Sequence, residues 1–265
     1  MMKTMVKVLC AALAAAGLSA AADAAEVKTI RVGVTPGIHE QVAEFVKPLV
    51  EKKGYAVKIT TFSDYVLPNQ ALADGDIDIN IFQHKPYLDT QVKDRGLKLI
   101  SAGTNFIAPM GFYSQKIKTM AELKDGDKIA IPNDPSNGGR ALLLLQKFGI
   151  LKVKTAPGAI PSVIDVRENP KHIKLVELDA AQLPRSLPDV TVAAINTNYA
   201  VSAGMNPAKD SIAREGADSP YANIFAIRAA DKDAAWVKAY VSAYQSEPVR
   251  QFILETGKGA ILPAF

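Results

Sequence analysis

After Lys28 the chain repeatedly exchanges short apolar strands for helical patterns, and this alternation limits the fold more than any other feature. "TIRVGV" (29–34) reads as a strand, and Val42, Phe45, Val46, Leu49 and Val50 then recur at helical spacing on one face. Pro48 interrupts that helix but leaves its apolar face intact. "AVKITTF" (56–62) is a second strand, "LPNQALADGD" a short helix and "IDINIF" (77–82) a third strand. "PYLDTQVKDRG" is another helix, with Gly96 as its stop. This βαβαβα order predicts a parallel sheet covered by helices.

A second run follows Gly111. "DKIAIPND" (127–134) reads as a strand leading into a helix, "HIKLVELD" and "VTVAAINT" as further strands, and the region from "DAAWVKAYV" as two closing helices. "NFIAPMGFYS" (105–114) and "ANIFAIRA" (222–229) are extended apolar stretches with no helix of their own. Two such crossings imply two hinged α/β lobes, one spanning 25–110 and 226–265, the other 111–225. Ligands of open α/β sheets sit beyond the carboxyl ends of the strands, so the lobes would share one cleft.

Residues 1–24 read as an exported leader. Lys3 and Lys7 precede an apolar run of about 15 residues, too short to span a bilayer, and Ala22-Asp23-Ala24 suits cleavage near Ala25. Cys10, the single cysteine, precedes most of the apolar core and so does not suit lipid attachment. The expected product is a soluble periplasmic monomer. Net charge is +4, or +3 without the leader's two lysines and one aspartate, too little to indicate nucleic acid or membrane binding.

Three clusters carry chemistry. In "NDPSNGGRALLLLQKFGIL" (133–151), Ser136 and Asn137 suit a helix N-cap, Gly138 and Gly139 leave backbone N–H groups open, and Arg140 offers a planar fork to a carboxylate. The plainer alternative is a capped buried helix whose arginine makes a structural ion pair. No Gly-Lys-Ser/Thr ending supports a phosphate loop. Phe82, His84 and Tyr87 cluster after the third strand and Tyr65 after the second. They would form an aromatic slot suited to a thioether, where core packing is the alternative. Asn198 and Asn223 can donate to a carboxylate and accept from an ammonium, whereas we read Asn196 as turn chemistry.

With these residues assembled, the chain from about Ile30 to Phe265 resembles the NlpA/MetQ lipoprotein family, the D,L-methionine-binding proteins of bacterial ABC importers. The resemblance is carried by "GVTPGIHEQV", "FSDYVLPNQALADGDIDINIFQHKPYL", "PNDPSNGGRALLLLQKFGIL" and "AAINTNYA". It implies a two-lobed, type II-like periplasmic binding fold, each lobe a mainly parallel sheet flanked by helices, with two crossover segments. It also implies capture of L-methionine for a permease and its ATPase. Arg140 would pair with the carboxylate, Asn198 and Asn223 would hold the backbone polar groups, and Tyr65, Phe82, His84 and Tyr87 would surround the side chain. No cofactor or metal is expected. D-methionine, a methionine dipeptide or another apolar amino acid remain alternative ligands.

An exported enzyme acting on small carboxylates is the rival of another class. The sequence has no G-x-S-x-G elbow, "HEQVA" is not H-E-x-x-H, and His39, His84 and His172 show no metal-ligand spacing.

Overall fold

The computed structural model describes residues 27–265, so the leader, its cleavage site and Cys10 lie outside the described residues. The first run folds as β1 (Thr29–Val34), α1 (Ile38–Glu51), β2 (Ala56–Thr61), α2 (Leu67–Asp74), β3 (Ile79–Asn80) and α3 (Lys85–Arg95). Two extended strands follow, β4 (Leu99–Ile107) and β5 (Gly111–Tyr113). Next come β6 (Lys128–Pro132), α4 (Pro135–Lys147), β7 (Lys152–Val153), β8 (Val166–Glu168), β9 (Lys174–Leu178) and β10 (Val192–Ile195). The chain closes with α5 (Thr197–Ser202), α6 (Pro207–Asp210), β11 (Ala213–Arg214), β12 (Ala222–Arg228), α7 (Ala235–Tyr244), α8 (Glu247–Gly257) and β13 (Leu262–Pro263).

Two main sheets form, in the orders β13-β4-β12-β3-β1-β2 and β11-β5-β10-β6-β9. In each, three strands pair in parallel, β3-β1-β2 and β10-β6-β9, as βα alternation requires. The crossing strands add antiparallel: β12 to both β3 and β4, and β5 to β10. Each sheet is therefore mixed where mainly parallel sheets were expected, because a strand that arrives from the other lobe needs no crossover helix.

Each lobe has its own core. Val32, Val42, Val46, Phe225, Tyr240 and Ile253 belong to the first, formed by β1, α1, β12 and the two closing helices. Ile129, Ile131, Leu142, Leu145 and Val192 belong to the second. A third cluster joins Tyr65, Phe82 and Tyr87 of one lobe to Leu183, Ile195 and Tyr199 of the other, so apolar burial also holds the lobes together. No helix among the described residues is long and apolar enough to cross a membrane.

Candidate functional site

Strand β3 pairs for two residues only, so the chain after Asn80 peels away and carries Phe82, Gln83 and His84 to the interlobe face. His84 then caps α3, its Nδ1 accepting from the Tyr87 N–H at 3.2 Å, which sets Tyr87 beside it. From the opposite lobe come the first turn of α4 and the β10–α5 junction, and Asn223 enters at the start of β12. The cavity between them has about 330 Å³ of non-atom space, part of it open to solvent. Tyr65, Phe82, His84, Tyr87, Arg140, Asn198 and Asn223 all line it.

The aromatic end is a mutually packed set. Tyr65 lies 5.6 Å from Phe82 and 6.0 Å edge-on from Tyr87, centroid to centroid, and the Tyr87 hydroxyl donates to the Tyr65 carbonyl at 2.7 Å. Such tilted and edge contacts fix ring orientation beyond simple burial. Across the cleft, the Tyr65 hydroxyl donates to Asn198 Oδ1 at 2.6 Å and the Tyr199 hydroxyl to the Ser63 carbonyl at 3.2 Å.

The helix entrance differs from its sequence reading. Asp134, not Ser136 or Asn137, is the N-cap of α4, and its Oδ1 accepts from the Asn137 N–H at 2.9 Å. A protein carboxylate thus already sits at the positive end of the helix, where a ligand anion was expected. The glycines serve close packing. A Cβ on Gly138 would lie 2.8 Å from the Pro132 carbonyl oxygen, and one on Gly139 would lie 2.7 Å from that of Pro161.

Arg140 is also corrected in part. Its Nε donates to Glu215 Oε1 at 2.8 Å, and its Nη2 pairs with Glu215 Oε2 and donates to the Ala108 carbonyl at 3.0 Å. The fork's two-bond edge is therefore taken by a buried glutamate that directly follows β11. Nη1 has no hydrogen-bond partner among the described residues. The guanidinium also lies 4.3 Å from the Tyr221 ring centre.

Sequence reasoning missed Glu215, Asn137 and His39, and placed Asn196 wrongly. Asn196 is buried on the cavity wall and donates to Asn137 Oδ1 at 2.9 Å rather than shaping a turn. His39 Nε2 lies 3.3 Å from Asn223 Oδ1 and its Nδ1 2.8 Å from Thr35 Oγ1. Asn196 and Asn137 are 59 residues apart and His39 and Asn223 are 184 apart, so no local spacing announces those pairs.

Burial lowers the pKa of His39 to about 4 and, aided by the Arg140 charge, that of His84 to about 3. Both rings are neutral when folded, whereas an unfolded histidine titrates near pH 6.5. The unfolded state therefore binds more protons below pH 6.5. Their contribution is complete above that pH and is lost as pH falls toward 4 and then 3, by up to about 1.4 kcal/mol per unit for each ring. Urea unfolding between pH 7.5 and 4.5 should show a shallower fall for His39→Gln than for the parent. Equal slopes would contradict the buried neutral ring.

A sequence model of the NlpA lipoprotein family matches residues 30–265. The chain is 55% identical over 223 residues to the D-methionine-binding lipoprotein MetQ of Salmonella typhimurium, covering 83% of this chain and 82% of that protein. Its identity to the Escherichia coli protein of the same name is 54% over the same shares. A nutrient binding protein from Burkholderia cenocepacia bound to methionine superposes with a TM-score of 0.87 at 52% identity, covering 89% of this chain and 100% of that one. The relatives are named for binding, which sets aside the exported enzyme, and as lipoproteins, which runs against an unanchored product. A match this long and this similar, on the two-lobed α/β fold described above, means that the chain belongs to the NlpA lipoprotein family.

Proposed function

We propose that the protein captures L-methionine between its lobes and delivers it to an ABC importer permease driven by an ATPase. The observation that carries this reading is one cavity with an aromatic end, a buried arginine edge and four asparagines. It is supported by the methionine-bound relative from Burkholderia cenocepacia. In this reading Arg140 Nη1 and Asn223 Nδ2 meet the carboxylate, Asn198 braces the polar end, and Tyr65, Phe82, His84 and Tyr87 enclose the thioether. Residues 25–110 with 226–265 form one lobe and 111–225 the other. The pairing of β12 with β3 and β4 supports a return of the chain to the first lobe along this strand.

The names of the relatives favour D-methionine as the second reading. Titration calorimetry of refolded protein with each enantiomer tests both, and tighter binding of the D form would replace the first reading with the second. Stimulation of the importer's ATPase in vesicles by the liganded protein tests delivery, and no stimulation would sink it. We also propose that the protein works in the periplasm, supported by the binding-lipoprotein names of its relatives. Recovery of the expressed protein in the cytoplasmic fraction would contradict this.

Phe82→Ala should weaken methionine binding and blur side-chain selection. One methylene in an apolar pocket is worth about 1–3 kcal/mol. The ratio of methionine to norleucine affinity should approach unity while the variant stays folded. An unfolded variant would instead make Phe82 a core residue.

A further inference from the structure

We propose that Asn196 is a specificity-determining residue whose Oδ1 accepts a hydrogen bond from the ammonium group of the ligand, an assignment that rests on the amino-acid reading of the cavity. The argument starts at Asp134. An ionised carboxylate only accepts hydrogen bonds, and both Asp134 oxygens lie 3.0 Å from Asn137 Nδ2. This fixes the Asn137 amide, so its Oδ1 is an acceptor. Two groups face that oxygen, His84 Nε2 at 3.1 Å and Asn196 Nδ2 at 2.9 Å. Both must donate. His84 agrees independently, because its Nδ1 accepts from the Tyr87 N–H and leaves the ring proton on Nε2.

Asn196 therefore has its nitrogen committed to Asn137. Its Oδ1 is fully buried, has no partner among the described residues, and belongs to a side chain on the cavity wall that is 7% exposed. A buried carbonyl oxygen without a donor is costly unless a ligand supplies one.

The other two asparagines are wired in the opposite sense. The Tyr65 hydroxyl donates to Asn198 Oδ1, and Asn198 Nδ2 donates to Thr35 Oγ1 at 3.3 Å. The Thr35 proton then goes to His39 Nδ1, and His39 Nε2–H donates to Asn223 Oδ1. Both amide oxygens are occupied, and Asn223 presents its nitrogen as a donor. Neither nearby carboxylate is open to a cation, since Glu215 holds Arg140 and Asp134 holds Asn137. Of the four asparagine side chains that line the cavity, Asn196 alone has an amide oxygen without a partner among the described residues.

The test compares methionine with its des-amino counterpart, 4-(methylsulfanyl)butanoate, by titration calorimetry on the parent, Asn196→Ala and Asn196→Asp. The parent should prefer methionine. Asn196→Ala should lose about tenfold or more in methionine affinity, but roughly threefold or less for the des-amino acid. Asn196→Asp keeps an acceptor and adds charge, so its preference for methionine should exceed that of Asn196→Ala. Equal losses for both ligands in Asn196→Ala would assign Asn196 a structural role and overturn the proposal. If Asn196→Ala does not fold, a methionine preference in Asn196→Asp below that of the parent overturns it. A parent that binds the des-amino acid as well as methionine refutes the ammonium contact alone, whereas one that binds neither refutes the amino-acid reading as well.

Discussion

Arg140→Ala is expected to remove tight methionine binding and to lower folding stability by about 3–5 kcal/mol. The stability loss comes from Glu215, left buried without its cation, although it still accepts from the Met110 N–H at 3.0 Å and the Ser219 hydroxyl at 3.1 Å. The binding loss, roughly 2–5 kcal/mol by analogy with other buried charged contacts, comes from the missing Nη1 edge. Because one substitution does both, a second variant separates them. Arg140→Met with Glu215→Leu replaces the pair by apolar groups of similar size, which is often neutral or stabilising. Urea unfolding should find this double variant more stable than Arg140→Ala, and calorimetry should find it equally unable to bind methionine. Near-parent affinity in either variant would refute the carboxylate role of Arg140.

Gly37→Ala is expected to prevent the lobes from closing. Gly37 caps α1 at φ 85° and ψ −129°, backbone that a side chain strains by about 1–3 kcal/mol whether the lobes are open or closed. A Cβ there would also collide with the Asn198 carbonyl oxygen, which belongs to the facing lobe. That second cost, about 1–3 kcal/mol for overpacking, arises only when the lobes meet. Methionine affinity should fall about tenfold or more beyond any change in the stability of the ligand-free protein. Small-angle scattering should show no compaction on adding methionine. Affinity within twofold of the parent would mean that Gly37 and Asn198 do not meet in the liganded form.

The first lobe was legible because its signals are local. The α1 stripe from Val42 to Val50 is the buried face in the structure, and Gly96 ends α3 in the left-handed conformation its position suggested. The clustering of the aromatic residues was legible because strand ends converge between the lobes, and all seven expected side chains line one cavity. What escaped notice depends on distance along the chain. Glu215 meets Arg140 across 75 residues and His39 meets Asn223 across 184, and neither pairing leaves a periodic trace. Helix caps failed for a different reason. Asp134, Ser136 and Asn137 are all good capping residues, and the choice fell to Asp134 because Pro135, which suits the first helical turn, follows it directly.

The most direct test of the account is the thermal unfolding midpoint of protein unfolded to strip ligand, refolded, and measured against each natural amino acid. A ligand that binds only the folded state, present at 100 times its dissociation constant, adds about 2.7 kcal/mol of stability. The account predicts that methionine raises the midpoint more than any other amino acid. A midpoint unmoved by all of them would mean that the cavity at Arg140 and Asn223 does not hold an amino acid.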